Sequence, residues 1–183
     1  MKNAALANNP IKQEIINTTH PSNLLLVDRD GTLNIDKGYT FKTTELEIRY
    51  DVVSELSNLV LKNTAVVCVT NQSGVGRGLY TIDDVFAFNT LLARKLTLRK
   101  FTINAFYICP HSPEMNCMCR KPKAKMLDLA MSDYNVNTKC TTFIGNSEFD
   151  ELAGVNAGIK YISVNNSDFR NKILKRRVEL SAY

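Results

Sequence analysis

A chain of 183 residues that is 44% hydrophobic is long enough to fold as one packed domain. No stretch approaches the roughly 20 apolar residues needed to cross a bilayer, and the opening MKNAALANNPIKQEIINTTHPSN lacks the apolar middle of a secretory signal, so a cytoplasmic protein without a membrane partner is expected. The formal charge of +5 suits acidic partners such as phosphates, but the basic residues are spread along the chain, which argues against nucleic acid; the one cluster, Lys172, Lys175, Arg176 and Arg177, reads as the solvated face of a last helix.

Residues 1–22 are polar and punctuated by Pro10 and Pro21, and they read as a loosely ordered arm before a domain over 23–183. Short apolar runs then recur: LLLVD at 24–28, AVVCVTN at 65–71, AFYIC at 105–109, TFIGN at 142–146 and YISV at 161–164. Each predicts a buried strand. Between them lie helical spacings, first Val52, Val53, Leu56, Leu59 and Val60, then Val85, Phe88, Leu91, Leu92 and Leu96. Thr81 is placed as the N-cap of the second helix, with Asp83 and Asp84 offsetting the positive end of its dipole. A further helix fits 123–134, after Pro122. This alternation predicts an α/β fold, a Rossmann-like parallel sheet sandwiched by helices. Open sheets of this kind bind ligands at the carboxyl ends of their strands, so the polar residues there matter first.

After the first run, DRDGT sets Asp28 and Asp30 two positions apart with a glycine behind them. Two like charges this close call for a cation, and magnesium suits hard oxygen ligands that it shares with substrate phosphate; the competing reading is an ordinary turn. After the second, TNQSGVGRG at 70–78 offers small hydrogen-bonding residues and glycines, fit for a backbone approaching an anion, yet it matches neither the Walker nor the dinucleotide spacing. After the third, CPHSPEMNCMCRKP supplies Cys109, His111, Cys117 and Cys119, four soft ligands in one short loop. That set predicts a closed, structural zinc site. It would hold Arg120 and Lys121 near the strand ends, where cations can neutralise a transferring phosphoryl group. After the fourth, Asn146 and Asp150 stand one turn apart if a helix begins near Ser147; Asp150 is either a magnesium ligand or an acid favoured by the helix dipole. Of the five cysteines, Cys68 reads as a small buried hydrophobe and Cys140 is assigned nothing.

At these residues the chain resembles the haloacid dehalogenase (HAD) superfamily of phosphotransferases, over roughly 24–165. Within it the Cys109-to-Lys121 stretch is similar to the zinc-loop branch, which contains heptose bisphosphate and histidinol-phosphate phosphatases. DKGYT at 36–40 and TNQSGVGRGLYT at 70–81 look more like the heptose type, and the five-residue gap between His111 and Cys117 more like the histidinol-phosphate type. The resemblance implies a HAD-like fold with no large cap domain, and a magnesium-dependent phosphomonoester hydrolase acting on a phosphorylated sugar, most simply as a monomer. It implies Asp28 as nucleophile, Asp30 as acid and later base, and Thr70 with Lys121 on the phosphoryl oxygens. Asp36, Lys37, Gly38, Tyr39, Asn71, Gln72, Ser73, Arg120 and Ser147 would meet the substrate. Magnesium would sit on Asp28, the carbonyl of Asp30 and the side chain of Asn146, with Asp150 beside it. The family pattern has Asp where this chain has Asn146, which predicts weaker magnesium binding and raises the alternative of a sugar-phosphate-binding protein with impaired turnover. The glycine loop is also similar to that of polynucleotide 3′-phosphatases, which lack the zinc loop.

Overall fold

The apolar runs become the parallel centre of a sheet. The computed structural model describes residues 9–18 and 20–182, and its strands are β1 (Ile11–Glu14), β2 (Asn23–Val27), β3 (Thr64–Asn71), β4 (Ala105–Cys109), β5 (Thr141–Gly145) and β6 (Lys160–Ser163). Their order is β1-β4-β3-β2-β5-β6. Strands β2 to β6 run parallel, while β1 pairs antiparallel with β4. From β2 the chain winds outward through β3 and β4, then returns to lay β5 and β6 on the other side, so the order reverses between β2 and β5. A crevice opens at such a reversal, beyond the carboxyl ends of the strands.

Every residue of β2, β4 and β5 is buried, because helices cover both faces. Side chains alternate between two apolar layers. Leu25 and Val27 pack with α1 (Tyr50–Leu56), α3 (Ile82–Thr97) and α6 (Phe169–Leu180). Leu24 and Leu26 pack with α4 (Lys125–Tyr134) and α5 (Glu148–Asn156). Each such leucine contributes about 1.5–3 kcal/mol of burial, and a slip of one residue would exchange the layers. The helix starts obey local chemistry. Thr81 Oγ1 accepts from the Asp84 N–H, and the Asp84 carboxylate accepts from the Thr81 N–H at 2.8 Å. Ser147 and Asp150 repeat this reciprocal cap at the start of α5. Cys68 is fully buried in β3, as expected of a small hydrophobe. Among the described residues no helix is long and apolar enough to cross a membrane.

Two features depart from the sequence reading. Part of the arm, Ile11–Glu14, is an edge strand, registered Ile11 against Ile108 and Glu14 against Ala105; residues 1–8 lie outside the described residues. Its order comes from the free edge of β4 rather than from its own apolarity. The basic tail is not a uniformly solvated face either. Arg176 is buried and donates to Thr142 Oγ1 (2.8 Å), the Lys139 carbonyl (2.6 Å) and the Thr141 carbonyl (3.1 Å), which rivets α6 to β5. Lys172, Lys175 and Arg177 are exposed as expected. Lys172 and Lys175 share a hollow of about 270 Å³ with Lys160 on the other margin of the sheet, strand β6.

Candidate active site

The Asp28 N–H donates to the Ile144 carbonyl at 2.8 Å, which extends the β2–β5 ladder by one residue and sets the carboxylate at the reversal point. Lys121 meets it there. Its ammonium donates to Asp28 Oδ1 at 2.5 Å, Asp150 Oδ1 at 2.6 Å and the Val69 carbonyl at 2.9 Å, which uses all three protons. Asn71 clasps the same residue by its backbone, donating to the Lys121 carbonyl at 3.2 Å and accepting from its N–H at 3.1 Å. Burial pushes the Asp28 carboxyl up to about 7, with Lys121 pulling it back and Asp150 adding repulsion. Burial also works against the Lys121 charge, but Asp150 and Asp28 more than offset it and hold the ammonium above its ordinary range. Asp150 would likewise be raised by burial, yet Lys121 and Ser147 keep it below the usual carboxylate value.

Asp30 is fixed from the other side. Its Oδ1 accepts from Arg29 Nε and Asn34 Nδ2, both at 3.1 Å, and its Oδ2 from Arg29 Nη2 at 2.9 Å and Gln72 Nε2 at 2.7 Å. Arg29 is fully buried, with its guanidinium 4.6 Å over the Phe88 ring and bonded to the Thr40 carbonyl at 2.7 Å. The sequence reading passed over Arg29, Asn34 and Tyr80, whose hydroxyl donates to Gln72 Oε1 at 2.9 Å. An arginine between two aspartates at the end of a buried run was the available signal, since its charge must find a partner inside.

With all three carboxylates ionised, Asp28, Asp30 and Asp150 against Lys121 and Arg29 leave one negative charge in excess. A phosphate would add more, so the centre calls for a cation. One carboxamide atom of Asn146 lies 3.2 Å from the Asp30 carbonyl oxygen, 3.2 Å from Thr32 Oγ1 and 3.3 Å from Asp28 Oδ2. With nitrogen there, the amide donates to all three. With oxygen there, it joins Asp28 and the Asp30 carbonyl as a third hard oxygen, the ligand type that magnesium takes, so these residues fit magnesium. Asp150, expected beside that ion, is committed elsewhere. Its Oδ1 binds Lys121, and its Oδ2 accepts from Ser147 Oγ at 2.6 Å, the Ser147 N–H at 3.1 Å and the Asn146 N–H at 3.2 Å.

The candidate substrate residues divide. Asp36, Tyr39, Asn71, Gln72 and Ser73 line a hollow of about 170 Å³ with Asp30 and Tyr80. Gln72 is nonetheless buried, and its amide is engaged by Asp30, Tyr80 and the Thr70 hydroxyl, the last at 2.8 Å. Lys37 pairs with Glu47 on the surface at 3.1 Å, and Gly38 supplies the φ of +78° that the turn behind Asp36 requires. Arg120 lines a different hollow, of about 210 Å³, with Lys121, Lys123 and Phe149. Ser147 has its hydroxyl in the helix cap.

The loop after β4 gathers Cys109, His111, Cys117 and Cys119, all buried, with ligand atoms within 4.8 Å of one another. Cys109 Sγ stands 3.6 Å from His111 Nδ1 and 3.5 Å from Cys117 Sγ, while Cys119 Sγ stands 3.2 Å from His111 Nδ1 and 3.6 Å from Cys117 Sγ. Zinc held at about 2.3 Å by sulfur spans tetrahedral edges of about 3.7 Å, so the donor set fits. Hydrogen bonds led by that from Cys119 hold the Cys109 thiol down to about 5 against its burial.

Residues 118–182 match the family described as HAD-hydrolase-like. The chain is 36% identical over 137 residues to the D-glycero-beta-D-manno-heptose-1,7-bisphosphate 7-phosphatase of Helicobacter pylori, covering 74% of this chain and 79% of that protein. It is 38% identical over 136 residues to the D-glycero-alpha-D-manno-heptose-1,7-bisphosphate 7-phosphatase of Campylobacter jejuni, covering 74% and 77%. The D,D-heptose 1,7-bisphosphate phosphatase of B. bronchiseptica, solved with magnesium and phosphate, matches with a TM-score of 0.72 and 28% identity over 84% of this chain and 86% of that one.

Proposed function

The chain belongs to the HAD-like phosphatases, and from that premise we propose that it removes the 7-phosphate of D-glycero-D-manno-heptose 1,7-bisphosphate through a phosphoryl group carried on Asp28. The observation that carries this reading is the meeting of Asp28 with Lys121 at the reversal of the sheet, beside a tethered second carboxylate, Asp30. An oxygen of Asp28 attacks phosphorus while the bond from phosphorus to the sugar oxygen breaks. Asp30, having first taken a proton from solvent in the hollow that it lines, gives it to that departing oxygen, then takes one from the water that attacks the phosphoaspartate, which returns Asp28 and releases phosphate. Lys121 and Thr70 steady the phosphoryl oxygens, and Asp150 acts by fixing Lys121. Magnesium on Asp28, the Asp30 carbonyl and Asn146 would supply the positive charge that the centre lacks. Zinc on Cys109, His111, Cys117 and Cys119 would stiffen the loop that presents Arg120 and Lys121.

Asp36, Tyr39, Asn71 and Ser73 face the sugar from the Asp30 side, and Arg120 reaches it from the Lys121 side. The two relatives named above differ in anomer, so the proposal stops at the sugar. We place the activity in the cytoplasm, where thiols stay reduced, in a monomer with one catalytic domain over 23–183, to whose sheet the arm of 1–22 lends the edge strand Ile11–Glu14. The five-residue gap between His111 and Cys117 favours histidinol phosphate as the second reading. A phosphate-release panel with heptose bisphosphate, histidinol phosphate and a 3′-phosphorylated oligonucleotide, with magnesium present or chelated, tests the choice. Magnesium-dependent release ranked with the heptose first is expected. Faster release from either competitor would overturn it.

A further inference from the structure

The edge strand that precedes the core is joined to the acid and base of the site by two amides in series, that of Gln13 half-buried and that of Asn89 fully buried. Gln13 on β1 donates through Nε2 to the Phe86 carbonyl at 3.0 Å and to Thr90 Oγ1 at 3.1 Å, both on α3. With its nitrogen so engaged, Gln13 offers Oε1, which accepts from Asn89 Nδ2 at 3.0 Å. The orientation of Asn89 follows, and its Oδ1 accepts from Arg29 Nη1 at 3.0 Å. Arg29 in turn grips Asp30 through Nε and Nη2. Asn89 and Arg29 are both fully buried. Were Asn89 turned over, its NH2 would face the guanidinium, donor against donor, in a place without water to relieve it.

We propose that Gln13 and Asn89 are positioning residues for Asp30: the arm sets the polarity of one amide, that amide sets the guanidinium, and the guanidinium aims the carboxylate that protonates the leaving oxygen. This rests on the reading of Asp30 as acid and base given above. A packing role alone would be met by an apolar side chain of the same shape as Asn89, without the cost of burying a guanidinium and an amide. What the polar chain adds is direction.

The test uses leaving-group chemistry on the magnesium-loaded enzyme. A sugar alkoxide needs a proton to depart, whereas 4-nitrophenolate departs without one, so misaiming Asp30 should reduce kcat/KM for heptose bisphosphate and spare 4-nitrophenyl phosphate. Asn89→Leu should lower the first about tenfold and the second by less than about twofold, and Gln13→Ala about threefold and hardly at all. Gln13→Glu keeps the acceptor facing Asn89 but loses the donor to the Phe86 carbonyl, so it should recover part of the loss. Equal losses on both substrates, or none on either, would overturn the proposal. Asp30→Asn on the same pair separates the two readings, because an unchanged substrate ratio there refutes the acid role itself. Should the wild-type protein release phosphate from neither compound, the Arg29 Nε–H resonance still decides the coupling. It should be sharp and slow to exchange in the wild type and lost in Asn89→Leu and Gln13→Ala; its persistence in both variants would refute the relay.

Discussion

The charged centre around Asp28 and the thiol loop around Cys109 are both buried, both polar and adjoining, yet they are built on opposite chemistry. The centre gathers full charges on hard oxygens and nitrogens from residues far apart in the chain: Lys121 lies 93 positions from Asp28 and 29 from Asp150. The loop gathers soft donors between Cys109 and Cys119. Ion pairs hold the first against the penalty of leaving water, and removing one partner strands the other. The second would gain its stability from an ion bound by groups that are already neighbours. What the contrast teaches is an order of dependence. Lys121 follows Cys119 by two positions, so the loop places a residue of the centre, while the centre places nothing in the loop.

That asymmetry can be broken by experiment. Asp28→Asn removes the attacking oxygen and should cut phosphate release at least a thousandfold, roughly, while zinc content by metal analysis stays unchanged; loss of zinc in that variant would contradict the order of dependence. Cys119→Ser should do damage in both regions. We expect a melting temperature lower by about 10 °C and turnover lower by about tenfold or more, as Lys121 loses its anchor; an unaltered melting curve in calorimetry would show that the loop carries no structural metal. Asn146→Asp sharpens the comparison within the centre, because it would give the cation a second charged oxygen, beside that of Asp28, in place of an amide able to stand in for it. Magnesium should bind about tenfold more tightly by titration calorimetry, and the metal-free protein should melt lower. Equal affinity in both proteins would refute the assignment of Asn146. The smallest effect belongs to an exposed pair away from both regions. Asp133 accepts from the Tyr107 hydroxyl and pairs with Lys12 at 3.0 Å, and these hold its carboxyl below the ordinary 3.8, the Tyr107 bond foremost. A lowered folded value means that the stabilisation is complete above pH 3.8 and fades as acid carries the group through its folded value. Asp133→Asn should cost a few tenths of a kcal/mol, about 1 °C, at neutral pH and nothing in strong acid, by thermal melts across pH. A loss independent of pH would point to packing instead.

Much of this molecule was legible before any coordinates. Strands buried on both faces are continuous apolar runs, so β2 to β5 declared themselves, as did β6, which is only half-buried at the margin of the sheet, and the thiol loop did so because its donors are local. Thr81 was legible as an N-cap, and a helix start near Ser147, for the same reason; their reciprocal bonds with Asp84 and Asp150 are the structure's addition. Partners across space were not. Spacing placed Asp150 beside Asn146 but could not tell whether its oxygens serve a cation or Lys121, and the structure gives them to Lys121 and Ser147. Gln72 had the chemistry of a sugar contact, yet its amide braces Asp30. Arg29 acquires its meaning from Asn89 and Thr40, and Arg176 from carbonyls at 139 and 141, none of them near in sequence. Strand β1 has too little apolar character to announce itself, because its order is lent by β4.

That borrowed strand has a further effect on how the sheet meets its surroundings. A parallel sheet normally ends in two rows of unpaired amides, each an adhesive strip for another chain. Here the strip along β4 is covered by Ile11–Glu14, whose own outer edge is only four residues long and carries Lys12 and Glu14, and the margin at β6 is lined by charges of both signs, Lys160, Lys172 and Lys175 with Asp168 and Glu179. Short length on one flank and charge on both work against the stacking that a strongly apolar interior would otherwise invite.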